Sequence, residues 1–80
     1  MSLFAKKPVE KYVLKINGMS CSMCEAHIND AIRNNFKVKK VTSDRRKNET
    51  LILSNEKLDI QKIKDVIRET GYELTDIITN

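Results

Sequence analysis

The amino-acid sequence predicts an α+β fold, a ferredoxin-like βαββαβ sandwich in which a four-stranded antiparallel sheet carries two helices on one face. Three observations predict it. Tyr12, Leu14 and Ile16 alternate with Lys15 at the period of a half-buried strand. Two later segments space their apolar residues three and four apart, as amphipathic helices do. Short apolar runs bounded by turn residues follow each of them, giving the order strand, helix, strand, strand, helix, strand.

The first strand covers about Tyr12 to Ile16, and Gly18 stops it. The first helix runs from about Ser22 to Asn35 with Ile28, Ala31, Ile32 and Asn35 along one side. Asn34-Asn35 is expected to end it, because Asn tolerates the left-handed cap conformation. A second strand spans about Lys37 to Ser43 with Val38 and Val41 apolar, a turn covers Asp44 to Asn48, and a third strand covers Glu49 to Leu53. Asp59 is placed to cap a second helix, in which Ile60, Ile63, Val66 and Ile67 share one side while Lys62, Lys64, Asp65 and Arg68 face water. Gly71 terminates that helix, and a last strand follows from Tyr72 to Ile78. This topology gathers three loops at one end: Gly18 to Ser22, Asp44 to Asn48, and Thr70-Gly71-Tyr72.

Eighty residues make one domain at most, which excludes a two-domain enzyme and leaves little surface for a deep cleft. A binding module is therefore expected rather than an enzyme. With 40% apolar and 32% charged residues the chain can build a core, so a disordered segment is excluded. Residues 1–10 lack periodicity and read as a flexible N-terminal tail before a domain over 11–80. No apolar run approaches the roughly 18 residues that cross a bilayer, and no secretory signal is evident. A soluble, cytoplasmic protein without membrane insertion is the expectation.

The net charge of +4 is concentrated between Lys37 and Lys47, which hold six basic residues against one acid. Arg45, Arg46 and Lys47 would steer an acidic partner surface toward the loops at that end. Nucleic acid is not the expected partner, because Glu49-Thr50-Leu51-Ile52-Leu53-Ser54 offers no aromatic platform for bases.

The chemistry lies in Gly18-Met19-Ser20-Cys21-Ser22-Met23-Cys24. These are the only two cysteines, too few for a disulfide framework, and three residues apart they suggest a metal or redox pair. One thiol sits on a loop and the other in the first turn of a helix, where unpaired amides and the macrodipole favour a thiolate. Two soft donors select Cu(I) first, with mercury(II) equally satisfied, whereas zinc normally wants four ligands. Met19 and Met23 are thioethers of the same softness. His27, one turn beyond Cys24, is the accessory donor in reach of the same helix side.

Gly18-Met19-x-Cys21-x-x-Cys24 at a strand end, followed by an amphipathic helix and later by Gly71-Tyr72 after a second helix, resembles the heavy-metal-associated domain of bacterial copper chaperones and copper-transporting P-type ATPases. The resemblance covers roughly Lys11 to Ile77. It implies Cu(I) held by Cys21 and Cys24, Met19 tucked inward as a packing anchor, and Tyr72 close to the metal loop with its hydroxyl in the second rank. Partners it implies are a copper-transporting P-type ATPase or a copper-responsive repressor, with a monomer when metal-free and a metal-bridged dimer as a loaded form. Relatives of this domain handle mercury, zinc and cadmium as well. Where the family has Gly-Val entering strand two, this chain has Lys37-Val38. The reading is thus a copper(I) metallochaperone, a carrier and not an enzyme; the alternative is a small thiol-disulfide oxidoreductase.

Overall fold

The computed structural model describes residues 9–79. Along them run β1 (Glu10–Asn17), α1 (Ser22–Asn35), β2 (Lys40–Asp44), β3 (Glu49–Ser54), α2 (Ile60–Thr70) and β4 (Glu73–Thr79). The strands lie in the order β2-β3-β1-β4, each antiparallel to its neighbour. This is the expected ferredoxin-like plan. Tyr12, Leu14 and Ile16 from β1, Val41 from β2 and Ile52 from β3 face the two helices, whose Ile28, Ile32, Ile63, Val66 and Ile67 close the core.

The element ends differ from expectation for local reasons. β1 begins at Glu10, inside the segment read as a tail, because Glu10 already pairs with Ser54. Val9 is exposed just ahead of the strand, and residues 1–8 of that tail lie outside the described residues. β2 starts at Lys40 rather than Lys37, since residues 36–39 carry the chain from the helix layer down to the sheet. Val38 packs against the core from that lead-in, and Lys39 N–H already donates to the Leu53 carbonyl at 2.7 Å.

The expected left-handed asparagine at the end of α1 is absent. Asn35 stays helical, and Phe36 follows in an extended conformation (φ −139°) with its N–H on the Ile32 carbonyl. The Asn35 amide instead donates to the Ala31 carbonyl at 2.8 Å, satisfying a terminal acceptor without any backbone reversal. The left-handed asparagine of the described residues is Asn48, at φ 54° in the β2–β3 turn. Its carbonyl accepts from Ile16 N–H at 2.8 Å, tying that turn to the end of β1.

α2 ends as its sequence prescribes. The Asp59 carboxylate accepts from Gln61 N–H (2.9 Å) and Lys62 N–H (3.3 Å), and Gly71 closes the helix in the left-handed region at φ 91°. Replacing Asp59 with Ala leaves both first-turn amides to water, with an expected loss of about 1 kcal/mol in urea unfolding. A change below a few tenths would show the cap to be idle.

β3 carries an inversion. Its buried side is Thr50, Ile52 and Ser54, while Leu51 and Leu53 point to the opposite face of the sheet and are only half-buried. The inward hydroxyls are all paired. Thr50 meets Ser43 at 2.8 Å, Ser43 donates to Asn29 Oδ1 at 2.7 Å, and Ser54 donates to the Glu56 carbonyl at 2.8 Å. Among the described residues no buried side-chain polar atom lacks a partner.

Candidate metal centre

The loop between β1 and α1 is shaped by what lies on either side of it. Gly18 adopts φ 101°, a conformation that L side chains rarely take. The turn sends Met19 down into the core, where it is 5% exposed. The loop is thus pinned by an apolar anchor, and Ser20, Cys21 and Ser22 stand outside. Cys21 is the N-cap of α1, in an extended conformation with no side-chain cap, and its carbonyl accepts from Cys24 N–H at 3.0 Å. That first helical turn brings Cys24 Sγ to 3.1 Å from Cys21 Sγ. Both thiols are free, Cys21 exposed and Cys24 half-buried.

The Cys24 sulfur faces polar donors. The pKa of Cys24 is lowered to about 6, chiefly by the Tyr72 hydroxyl, then by the Ser20 main chain and the Cys21 thiol, with burial opposing. The same contact raises the pKa of Tyr72, because a thiolate beside a phenol disfavours a phenolate. Tyr72 stands at the corner where the left-handed Gly71 turns the chain from α2 into β4. Its ring is held from two sides. A Cβ on Gly18 would meet it at 3.3 Å, and His27 packs edge-on with ring centroids 5.9 Å apart.

The structure therefore brings together Cys21, Cys24 and Tyr72, with His27 touching the tyrosine. Met19 is packing, as the resemblance implied, and Met23 is 79% exposed on the outer side of α1. Among the described residues no cluster of three or more His, Cys, Asp or Glu side chains is placed to hold a metal. Among the described residues the dithiol is thus offered without a histidine or carboxylate as a third donor.

One contact escaped the sequence reading. Glu25, in the first turn of α1, accepts from Arg45 N–H at 2.7 Å and from the Arg45 guanidinium at 3.1 Å. It clamps the basic β2–β3 turn beside the thiol loop and leaves Arg46 and Lys47 exposed. No spacing rule links residues 20 apart on different elements, so only the fold reveals this pair.

The depressed thiol has a calculable consequence. Its folded pKa lies below the unfolded value of 9.0, so ionisation adds stability above that pH and the gain is lost as pH falls through about 6. The reduced, metal-free chain should therefore grow more stable from pH 6 to pH 9. Tyr72→Phe removes the largest cause and should move the alkylation midpoint of Cys24 upward. An unchanged alkylation profile in that variant would mean that Tyr72 has no part in it.

Comparison with known proteins agrees with this geometry. No curated protein matches the chain. Among solved structures it is similar to the CopZ metallochaperone, with 23% identity and a TM-score of 0.72 over 81% of this chain and 98% of that one. It is similar to the copper transporter domain Ccc2a of yeast, at 26% identity and a TM-score of 0.72, covering 81% and 90%. A copper-binding domain from HMA7, a P-type ATPase, gives 23% identity and a TM-score of 0.74, covering 86% and 93%. The model of the heavy-metal-associated domain matches residues 13–73, most of the chain. With that match, and with the fold shared by all three neighbours, the chain belongs to the heavy-metal-associated domain family and is a heavy-metal-binding domain.

Proposed function

We propose that the chain is a metallochaperone that holds one Cu(I) between Cys21 and Cys24 and passes it to an acceptor dithiol by ligand exchange. The observation that carries the reading is the pair of sulfurs 3.1 Å apart where the exposed loop enters α1, one of them with its pKa lowered to about 6. A thiolate already formed at neutral pH need lose no proton to bind. Two soft donors suit a cation that accepts low coordination, and Cu(I) is that cation before zinc. Mercury, zinc and cadmium are the competing cargoes.

Transfer follows from the same features. An incoming thiolate adds to the open coordination sphere and gives a three-coordinate bridge. One of the two original sulfurs then leaves, and the ion passes without release to water. Cys21, on the exposed side, is the sulfur an acceptor reaches. The carrier undergoes no net chemistry and is not an enzyme. Its acceptor would be a copper-transporting P-type ATPase or a copper-responsive repressor in the cytoplasm, and Arg46 and Lys47 beside the loop favour an acidic docking surface. The copper-binding domains among its structural neighbours support an acceptor of the transporter kind.

Titration with Cu(I) against a chromogenic chelator should give a one-to-one complex that Cys21→Ser with Cys24→Ser abolishes. Binding that survives the double substitution would end this reading. The proximity of the sulfurs also suits reversible oxidation, which favours a thiol-disulfide oxidoreductase as the second reading. That reading requires turnover of a disulfide substrate above the background of a free thiol.

A further inference from the structure

We infer that the end of the sheet remote from the thiols docks on an anionic lipid surface, through exposed lysines and without crossing it. The first reason is how the fold divides the basic run of residues 37–47. β2 carries that segment from one end of the sheet to the other, so Lys37, Lys39 and Lys40 stand at the remote end while Arg45, Arg46 and Lys47 stand at the β2–β3 turn. One patch in the sequence is two in the molecule.

More lysines gather at the remote end. Lys40 and Lys11 flank Leu53 in one row of the outer face. Lys37 and Lys39 line a hollow of about 340 Å³ with Val38, Asn55 and Glu56, which brings the α1–β2 and β3–α2 connections together. Lys57 lies in the second of these connections, and Lys62, in the first turn of α2, holds its ammonium 5.1 Å from the centroid of the Phe36 ring. All of these lysines are exposed.

Carboxylates do not offset them. Glu10, Glu56 and Asp59 are the acids at this end, and the Asp59 carboxylate is taken by the first amides of α2. Among the described residues the ion pairs are Lys15–Glu49, Arg33–Asp30, Arg45–Glu25 and Arg68–Asp65, so the remote lysines enter none. The thiol end differs, because Glu25, Asp44 and Glu49 stand there against Arg45, Arg46 and Lys47. Uncompensated positive charge therefore lies away from the thiols.

The chemistry of the patch selects lipid. Every cation in it is a lysine, a point charge that needs no fixed counter-geometry and so suits a fluid layer of headgroups, whereas arginine forks suit a set carboxylate or phosphate. Val9, 39% exposed, stands just ahead of β1 at this end, and the chain that joins there carries Leu3, Phe4, Lys6 and Lys7 in its sequence. Apolar residues among lysines match the boundary between headgroups and acyl chains. Bases find no platform, since Tyr12 is buried and Phe36 is half-buried beneath Lys62. β1, eight residues long, spans about 26 Å at roughly 3.3 Å per residue, so the thiol loop of a docked chain faces water. Docking and metal exchange use opposite ends and do not compete.

Co-sedimentation of the reduced, metal-free chain with vesicles tests it. Phosphatidylcholine vesicles with about 30% phosphatidylserine should capture the chain at about 0.1 M salt and release it at about 0.5 M, and pure phosphatidylcholine should capture at least tenfold less. Lys39→Glu with Lys40→Glu should weaken capture at least twentyfold, since each lysine near such a surface is worth roughly fivefold. Lys37→Glu with Lys57→Glu, both in loops, should do the same. Arg46→Glu with Lys47→Glu makes an equal change in net charge more than a screening length of about 10 Å away, and should weaken capture less than threefold. Cys21→Ser with Cys24→Ser should be captured like the unaltered chain, so this inference and the metal-carrier reading fail separately. Absence of capture at the lower salt would overturn it, as would equal capture by neutral vesicles or equal losses from reversal at either end. A single-stranded oligonucleotide that strips the chain from the vesicles at matched phosphate concentration would make the patch a nucleic-acid surface and likewise overturn it.

Discussion

Cys24→Ala is expected to lower the affinity for Cu(I) by about a thousandfold or more while leaving the fold intact. The second sulfur of a preorganised pair acts at a high effective concentration, and a lone Cys21 must find its partner in solution. Cys24 is also the sulfur prepared for ionisation. With a pKa of about 6 it is roughly nine-tenths thiolate at pH 7, where an ordinary thiol is a few per cent so. Its side chain packs against the edge of the core without being fully buried, so alanine leaves little void and the circular dichroism spectrum should not change. Competition against a chelator at pH 7 measures the loss. A drop of less than tenfold would show that Cys21 alone suffices, and the two-sulfur account would have to be abandoned.

Gly18→Ala should cost about 2 to 3 kcal/mol of stability and disturb the site as well. Two penalties coincide. The backbone at φ 101° is strained for any L side chain, by roughly 1 to 2 kcal/mol. The added methyl also meets Tyr72 Cδ1 at 3.3 Å, close enough that the ring must yield. If the ring yields, its hydroxyl shifts against Cys24 and the thiol becomes less acidic. Gly71→Ala is the internal comparison, since Gly71 has φ 91° but open space where its Cβ would stand. It should lose only the backbone part, about 1 kcal/mol, and leave the alkylation profile of Cys24 less altered. Thermal unfolding of the two variants separates strain from contact; equal losses would show that the methyl and the ring do not meet.

Much of the scaffold was legible because its signals are local. The alternation at Tyr12, Leu14 and Ile16, the Asp59 cap and the Gly71 stop each report a backbone requirement that neighbouring residues meet by themselves. The end of α1 was misjudged because an asparagine can satisfy a terminal carbonyl through its side chain as well as through a left-handed backbone, and Asn35 does the former. The shift of register between Lys15 and Ile16 carries no sequence mark, since it depends on how β4 meets β1. The orientation of β3 was hidden too. A run such as Leu51-Ile52-Leu53 has no preferred side, and only its neighbours decide which leucine is wet.

The site was legible in part for the same reason. Cys21 and Cys24 announce themselves by spacing, and Gly18 by its position between strand and thiols. The burial of Met19 came from the resemblance and not from any periodicity. Neither the hold of Gly18 and His27 on Tyr72 nor the grip of Glu25 on Arg45 can be read from spacing. These contacts join residues remote in the chain and exist only once both helices rest on the sheet.

The narrow gap between the sulfurs has a bearing on traffic. A linear ion with metal–sulfur bonds of about 2.3 Å would hold its two sulfurs about 4.6 Å apart, against 3.1 Å here. Cys24 belongs to a helix, so the widening falls on the Cys21 side. On the carrier reading proposed above, a loaded chain would present a wider sulfur spacing than an empty one at the place an acceptor would touch. An acceptor fitted to the wider form would bind loaded chains in preference to vacant ones, while the direction of transfer would still follow the relative affinities of the two dithiols.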